Sequence, residues 1–123
     1  MPNGKAARQR EELEFRILSY LYRRPGSSQR DIAEYTRASL GTVNACVKEL
    51  AGEGLISPRA SRASAHAMGY AYVLTHKGLE ERAVLATRVL GRLRVEYEIM
   101  LQELDDLLAE FPHAAAQKPD VKR

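Results

Sequence analysis

Apolar residues recur along this chain with different periods, and each period marks a different kind of element. Leu40, Val43, Val47 and Leu50 fall at i, i+3, i+7 and i+10, one stripe of a helix with 3.6 residues per turn. Ile32 and Ala33 supply a facing wall, so residues 28–56 read as a short helix, a tight turn and a second helix. Ser28 and Ser39 stand where N-caps belong, each hydroxyl placed to accept a first-turn backbone N–H, and Gly52 or Gly54 takes the left-handed conformation that ends the second helix. Leu55 to Pro58 then begins a strand, residues 59–69 are small and polar, and Tyr70 to Leu74 alternates with period two. The pattern predicts a hairpin with a long tip directly after the second helix.

A third period fills the remainder. Leu79, Ala83, Ala86, Leu90, Leu93, Tyr97, Met100, Leu104, Leu107 and Phe111 alternate spacings of four and three, a heptad seam on one helix from about 76 to 111. Thr75 caps its start, Glu80 and Glu81 suit its positive end, and the Phe111-Pro112 step stops it. At 1.5 Å per residue such a helix runs about 50 Å, too long for a small domain to cover alone, so a second copy is expected along it. Leu90, Leu93, Tyr97, Met100, Leu101, Leu104, Leu107, Leu108 and Phe111 are the expected dimerisation residues. Val89, Leu101 and Leu108 widen the stripe beyond a two-stranded seam, which points to several helices meeting there, parallel or antiparallel. Near the amino terminus, Leu13, Ile17, Tyr20 and Leu21 form one stripe while Phe15, Leu18 and Tyr22 form another. One stripe is expected in the core and the other against the long helix of the same or the partner chain.

The predicted fold is mainly α with a small β-hairpin: a basic amino-terminal arm at 1–11, a winged helix-turn-helix at 12–75, a long dimerisation helix at 76–111 and a disordered tail at 112–123. With its apolar stripe buried, the second helix of the motif must turn Gly41, Thr42, Asn44, Ala45 and Lys48 outward. Such a face suits the DNA major groove, where an Asn amide pairs bidentately with adenine, Thr reaches a phosphate or a thymine methyl, and Lys meets guanine or phosphate. Ser28 and Gln29 at the first helix, Ser39 at the second, and Arg59 and Arg62 on the wing complete the expected DNA-binding set, with His66 near the tip.

Charge agrees by segment. The chain of 123 residues carries a net +3; Lys5, Arg8 and Arg10 in residues 1–10, and Arg59, Arg62 and Lys77 in 55–77, have no acid among them. Residues 78–111 hold four arginines against eight acids, a net of minus four, so the stalk should point away from DNA. The absence of a long apolar run and of a leader pattern predicts a cytoplasmic protein with no membrane partner. His66, His76 and His113 are scattered without metal-ligand spacing or a nucleophile beside them, and no phosphate-binding glycine loop is present, so neither catalysis, metal nor cofactor is expected. Cys46 lies beside Val43 and Val47 as a core thiol; a redox role is the alternative, with no Arg or Lys on the same helix face to lower its pKa.

The stretch Ser39-Leu-Gly-Thr-Val-Asn44, the segment Gly69-Tyr-Ala-Tyr-Val-Leu-Thr-His-Lys-Gly78 and the long terminal helix resemble MarR-type regulators. More narrowly, they look like the small subgroup associated with exopolysaccharide gene clusters. The resemblance spans about residues 12–108. It implies a homodimer on a pseudo-palindromic operator in double-stranded DNA, with residues 39–48 in successive major grooves, residues 59–68 as the wing, and exopolysaccharide genes as targets. Thr42 replaces an expected Lys or Arg, His76 an expected Pro, and the wing is poorer in lysine than the family pattern. The effector is left unassigned, because only a few basic residues precede the first helix where most MarR-type proteins have a further one. A dimeric winged-helix module that binds a protein partner instead of DNA is the alternative, since Lys48 is the only cation of the second helix.

Overall fold

The computed structural model describes residues 4–59 and 70–115. By its internal contacts the chain divides into two units, Met1–Val89 and Leu90–Arg123.

The first unit begins with α1 (Lys5–Arg23), followed by α2 (Gln29–Thr36) and α3 (Leu40–Gly52). Helix α1 starts inside the stretch read as an arm, and Gly4 caps it without a side-chain bond. Two strands follow, β1 (Ile56–Arg59) and β2 (Ala71–Leu74), antiparallel with Ile56 opposite Leu74 and Arg59 opposite Ala71. Their connection, residues 60–69, which holds Arg62 and His66, lies outside the described residues. Ser27 adds an unforeseen bridge to the other edge of β2: its carbonyl accepts from Tyr72 N–H at 2.9 Å, while Gly26 N–H donates to the Tyr72 carbonyl at 2.9 Å. The entry to α2 is thereby tied to the inner strand of the hairpin.

The core lies where α1, α2 and α3 meet. Ile17, Leu18, Leu21, Ile32, Val43, Cys46, Val47 and Leu50 are buried, with Leu55, Ile56 and Tyr72 closing the sheet side. Both caps expected of the helix-turn-helix are present. At α2, Ser28 Oγ accepts from Asp31 N–H at 3.1 Å and Asp31 returns a carboxylate to Ser28 N–H at 3.0 Å, a reciprocal pair that satisfies two otherwise orphaned donors. The turn into α3 passes through Arg37 in the left-handed region at φ 63°, and α3 is left through Gly54 at φ 79°, which settles the choice between Gly52 and Gly54.

Helix α4 (His76–Glu110) follows the sheet, capped as expected by Thr75 Oγ1, which accepts from Gly78 N–H at 3.0 Å. In the first unit it buries Gly78, Leu85 and Val89, a different stripe from the heptad seam. Leu79 stays 40% exposed and Ala83 is exposed. The seam is rotated away from the stripe used by the chain's own domain, so the heptad repeat marks the exposed side and leaves out Leu85. Arg82 donates to Ser19 Oγ at 3.0 Å and lies 4.4 Å over the Tyr22 ring; Arg88 pairs with Glu11 at 2.8 Å. The second stripe of α1 therefore meets the long helix of its own chain.

In the second unit no side chain of residues 90–110 is buried. Tyr97, Met100 and Phe111 are 63%, 64% and 60% exposed, and Leu90, Leu101, Leu104 and Leu107 are also exposed. Val95 and Ile99, exposed as well, lie off the seam. Residues 112–115 form a one-turn helix, α5 (Pro112–Ala115), within the stretch expected to be a tail.

Gly78 is the tightest contact between α4 and the sheet, since a Cβ there would collide with the Leu55 carbonyl oxygen and crowd Leu74. Gly78→Ala is expected to lower stability by about 3 kcal/mol through overpacking against backbone that cannot yield. Urea unfolding would show it as a lower midpoint.

Candidate nucleic-acid interface

Burial of Val43, Cys46, Val47 and Leu50 orients α3 and so decides what it presents. Gly41, Ala45 and Lys48 lie opposite that stripe and are exposed; Thr42 is exposed at one edge and Asn44 half-buried at the other. The expected readers therefore share one side of a single helix. A Cβ at Gly41 would meet nothing, so the protein's own packing does not demand glycine there. Neither the Asn44 amide nor the Lys48 ammonium bonds to any described residue, which leaves both for an external partner.

The other expected contacts have structural duties too. Ser39 Oγ accepts from Thr42 N–H at 3.1 Å and donates to Thr42 Oγ1 at 2.8 Å, so the Thr42 methyl is its less committed group. Gln29, the first residue of α2, donates to Tyr72 Oη at 3.1 Å, which fixes it against the wing strand. Ser28 is engaged in its capping box, and Arg59 ends β1 with an exposed side chain. Thus the start of α2 is joined to the wing strand β2 by a direct bond.

One residue beside this face was invisible to a helix-by-helix reading. Arg10, from α1, brings Nη2 to 2.7 Å from Glu49 Oε1 on α3 and Nε to 3.6 Å from Glu14. These nitrogens satisfy no hydrogen-bond angle, so the contacts are ionic rather than directed. Their effect is to neutralise Glu49, whose side chain is 61% exposed on α3. The same guanidinium interacts with Cys46: no cation shares the thiol's own helix face, as expected, but one reaches it from α1. Burial outweighs it and pushes the thiol up to about 11, so Cys46 is protonated at neutral pH. Burial also pushes the Glu14 carboxyl up, against the attraction of Arg10.

Residues 10–57 match the family model described as winged helix-turn-helix DNA-binding. No curated protein matches the sequence at a significant level. Among solved structures, the PcaV transcriptional regulator from Streptomyces coelicolor is similar over 83% of this chain and 79% of its own, at 20% identity and a TM-score of 0.63. BldR, a transcriptional regulator from Sulfolobus solfataricus, covers 80% of this chain and 73% of its own, at 22% identity and a TM-score of 0.59. A MarR transcriptional regulator from Methanosarcina mazei Go1 covers 80% and 72%, at 22% identity and a TM-score of 0.53. Among the described residues no helix is long and apolar enough to cross a membrane.

The raised Cys46 pKa has a signed consequence. The unfolded thiol ionises near its ordinary value of about 8.5, before the folded one at about 11, so the unfolded state is favoured as pH rises through that window. Unfolding midpoints should fall between pH 8 and pH 10, and less so in Cys46→Ala. Ellman's reagent at pH 8 should react with the native thiol only as fast as the protein opens. Asn44→Ala should change stability by no more than about 0.5 kcal/mol, whereas Ser39→Ala, which removes a cap, should cost about 1 kcal/mol in the same urea titration. The residues thus assemble, bond by bond, a winged helix-turn-helix in a chain that has the fold of MarR-type transcriptional regulators.

Proposed function

We propose that this protein is a transcriptional regulator that binds double-stranded DNA as a homodimer, each copy laying α3 in the major groove at one half of a pseudo-palindromic operator. The observation that carries this reading is the outward face of α3. Its side chains are small or polar, and Asn44 and Lys48 have hydrogen-bonding groups with no duty inside the fold. Gly41 and Ala45 allow close backbone approach, while Asn44 is the reader with a bidentate adenine match. Ser28, Gln29 and Ser39 stand at helix N-termini, where phosphate is favoured. Arg59, and Arg62 beyond it in sequence, add positive charge for the flanking backbone.

The dimer is supported by the exposed seam. Each apolar side chain of this size, once covered, contributes roughly 1.5–3 kcal/mol, and Leu90, Tyr97, Met100, Leu101, Leu104, Leu107 and Phe111 are all exposed, with Leu93 and Leu108 half-buried. Exopolysaccharide genes as targets follow from the sequence resemblance, and chromatin immunoprecipitation would place the operator beside such genes or elsewhere. A protein-binding module is the second reading, favoured by Lys48 being the only cation of α3.

Two measurements separate these readings. On an operator recovered by chromatin immunoprecipitation, Asn44→Ala should weaken binding about 10- to 100-fold, and Thr42, Asn44 and Arg62 changed together to Ala should abolish specificity. Retained operator affinity in the triple variant would remove α3 and the wing as the reading surface. Leu104→Asp should give a monomer in sedimentation at micromolar concentration where the parent gives a dimer; a monomeric parent would eliminate the homodimer.

A further inference from the structure

The charges of the stalk are sorted along it. From Leu90, the helix carries Arg92 and Arg94, then Glu96, Glu98, Glu103, Asp105, Asp106 and Glu110 with no further cation. Arg94 holds Glu98 of its own helix at 3.3 Å, and Asp106 accepts from Gln102 at 3.1 Å. Glu96, Glu103, Asp105 and Glu110 form no ion pair with any described residue. A segment basic at one end, acidic at the other and apolar along one side is complementary to itself only when reversed.

We propose that two copies of this segment pair antiparallel, with the two-fold axis level with the Glu98-Ile99 step. This rests on the homodimer reading above and adds its direction and register. The heptad seam interlocks in that register: Leu90 comes level with Leu107 of the partner subunit, Leu93 with Leu104 of the partner subunit, and Tyr97 with Met100 of the partner subunit. Each layer combines two large side chains, of which five of the six are exposed in their own chain and Leu93 is half-buried.

The flanks agree with this register. At 100° per residue, Arg94 and Asp105 project to one side of the seam, and Arg92, Glu96 and Glu103 to the other. A two-fold axis perpendicular to the pair sets each flank beside the same flank of its mate. Arg94 then falls within two residues, about 3 Å along the axis, of Asp105 of the partner subunit. A parallel pair sets acid beside acid: Glu96 to Glu110 of both copies would share about 21 Å of stalk without a cation. Flanking charges of this kind select helix orientation in paired helices, and like charges in register are unfavourable.

The test uses the full chain. In Ala109→Cys a spin label is attached to the new exposed thiol while buried Cys46 stays unmodified, and sedimentation is run on the same sample. The antiparallel register places the two labels at least about 30 Å apart by electron–electron resonance, from twice 10.5 residues at 1.5 Å each. A dimer with labels closer than about 20 Å would overturn the antiparallel arrangement and leave the homodimer standing. A monomer would overturn both. Charge reversal supplies an independent readout: Arg94→Glu should raise the dimer dissociation constant about tenfold, and adding Asp105→Arg should restore it. Failure of that restoration in a dimer of normal fold contradicts the proposed pairing.

Discussion

The packing of one side of α3 into the helical core is the constraint on which everything else in this molecule depends. Val43, Cys46, Val47 and Leu50 are each at most 1% exposed, and a helix anchored at four such points cannot rotate without losing several side chains' worth of apolar burial. Its outer face is consequently determined to within part of a turn. The caps at Ser28 and Ser39 set where α2 and α3 begin, and the left-handed Arg37 sets the angle between them. Ser27 and Gln29, bonded to Tyr72, then tie the start of α2 to the inner wing strand. Recognition helix, bracing helix and wing strand form one interlocked body.

Much of this was legible in the sequence because it is local. The stripe of α3, both caps, the alternation of β2, the Thr75 cap and the end of α4 near Phe111 follow from spacing and side-chain chemistry within a few residues. What escaped is what distant segments do to one another. Arg10 beside Cys46 and Glu49 comes from the far end of α1, where no periodicity within α3 could reveal it. Lys5 to Arg10 reads as a basic arm by charge, yet nothing in that stretch interrupts a helix. Gly78 has no local signature either, because its necessity comes from the Leu55 carbonyl across the sheet.

The long helix shows how one element can serve two surfaces. Gly78 sits against Leu55 and Leu74 on the sheet side and Leu85 and Val89 are buried, near the Arg82 and Arg88 bonds to α1, while the heptad row lies on another side. The most conspicuous apolar repeat is thus the one the chain itself leaves exposed. Carboxylates dominate the carboxy-terminal half of that helix and cations the candidate wing.

Selection of bound sequences from a random pool of duplex DNA at about 150 mM salt, where purely electrostatic binding is weak, tests the central claim most directly. The expected result is an enriched site with two related half-sites separated by about one helical turn or a multiple of it, as two symmetry-related recognition helices require. No enrichment from protein verified to be folded and dimeric would contradict it, and would assign the polar face of α3 to a protein partner.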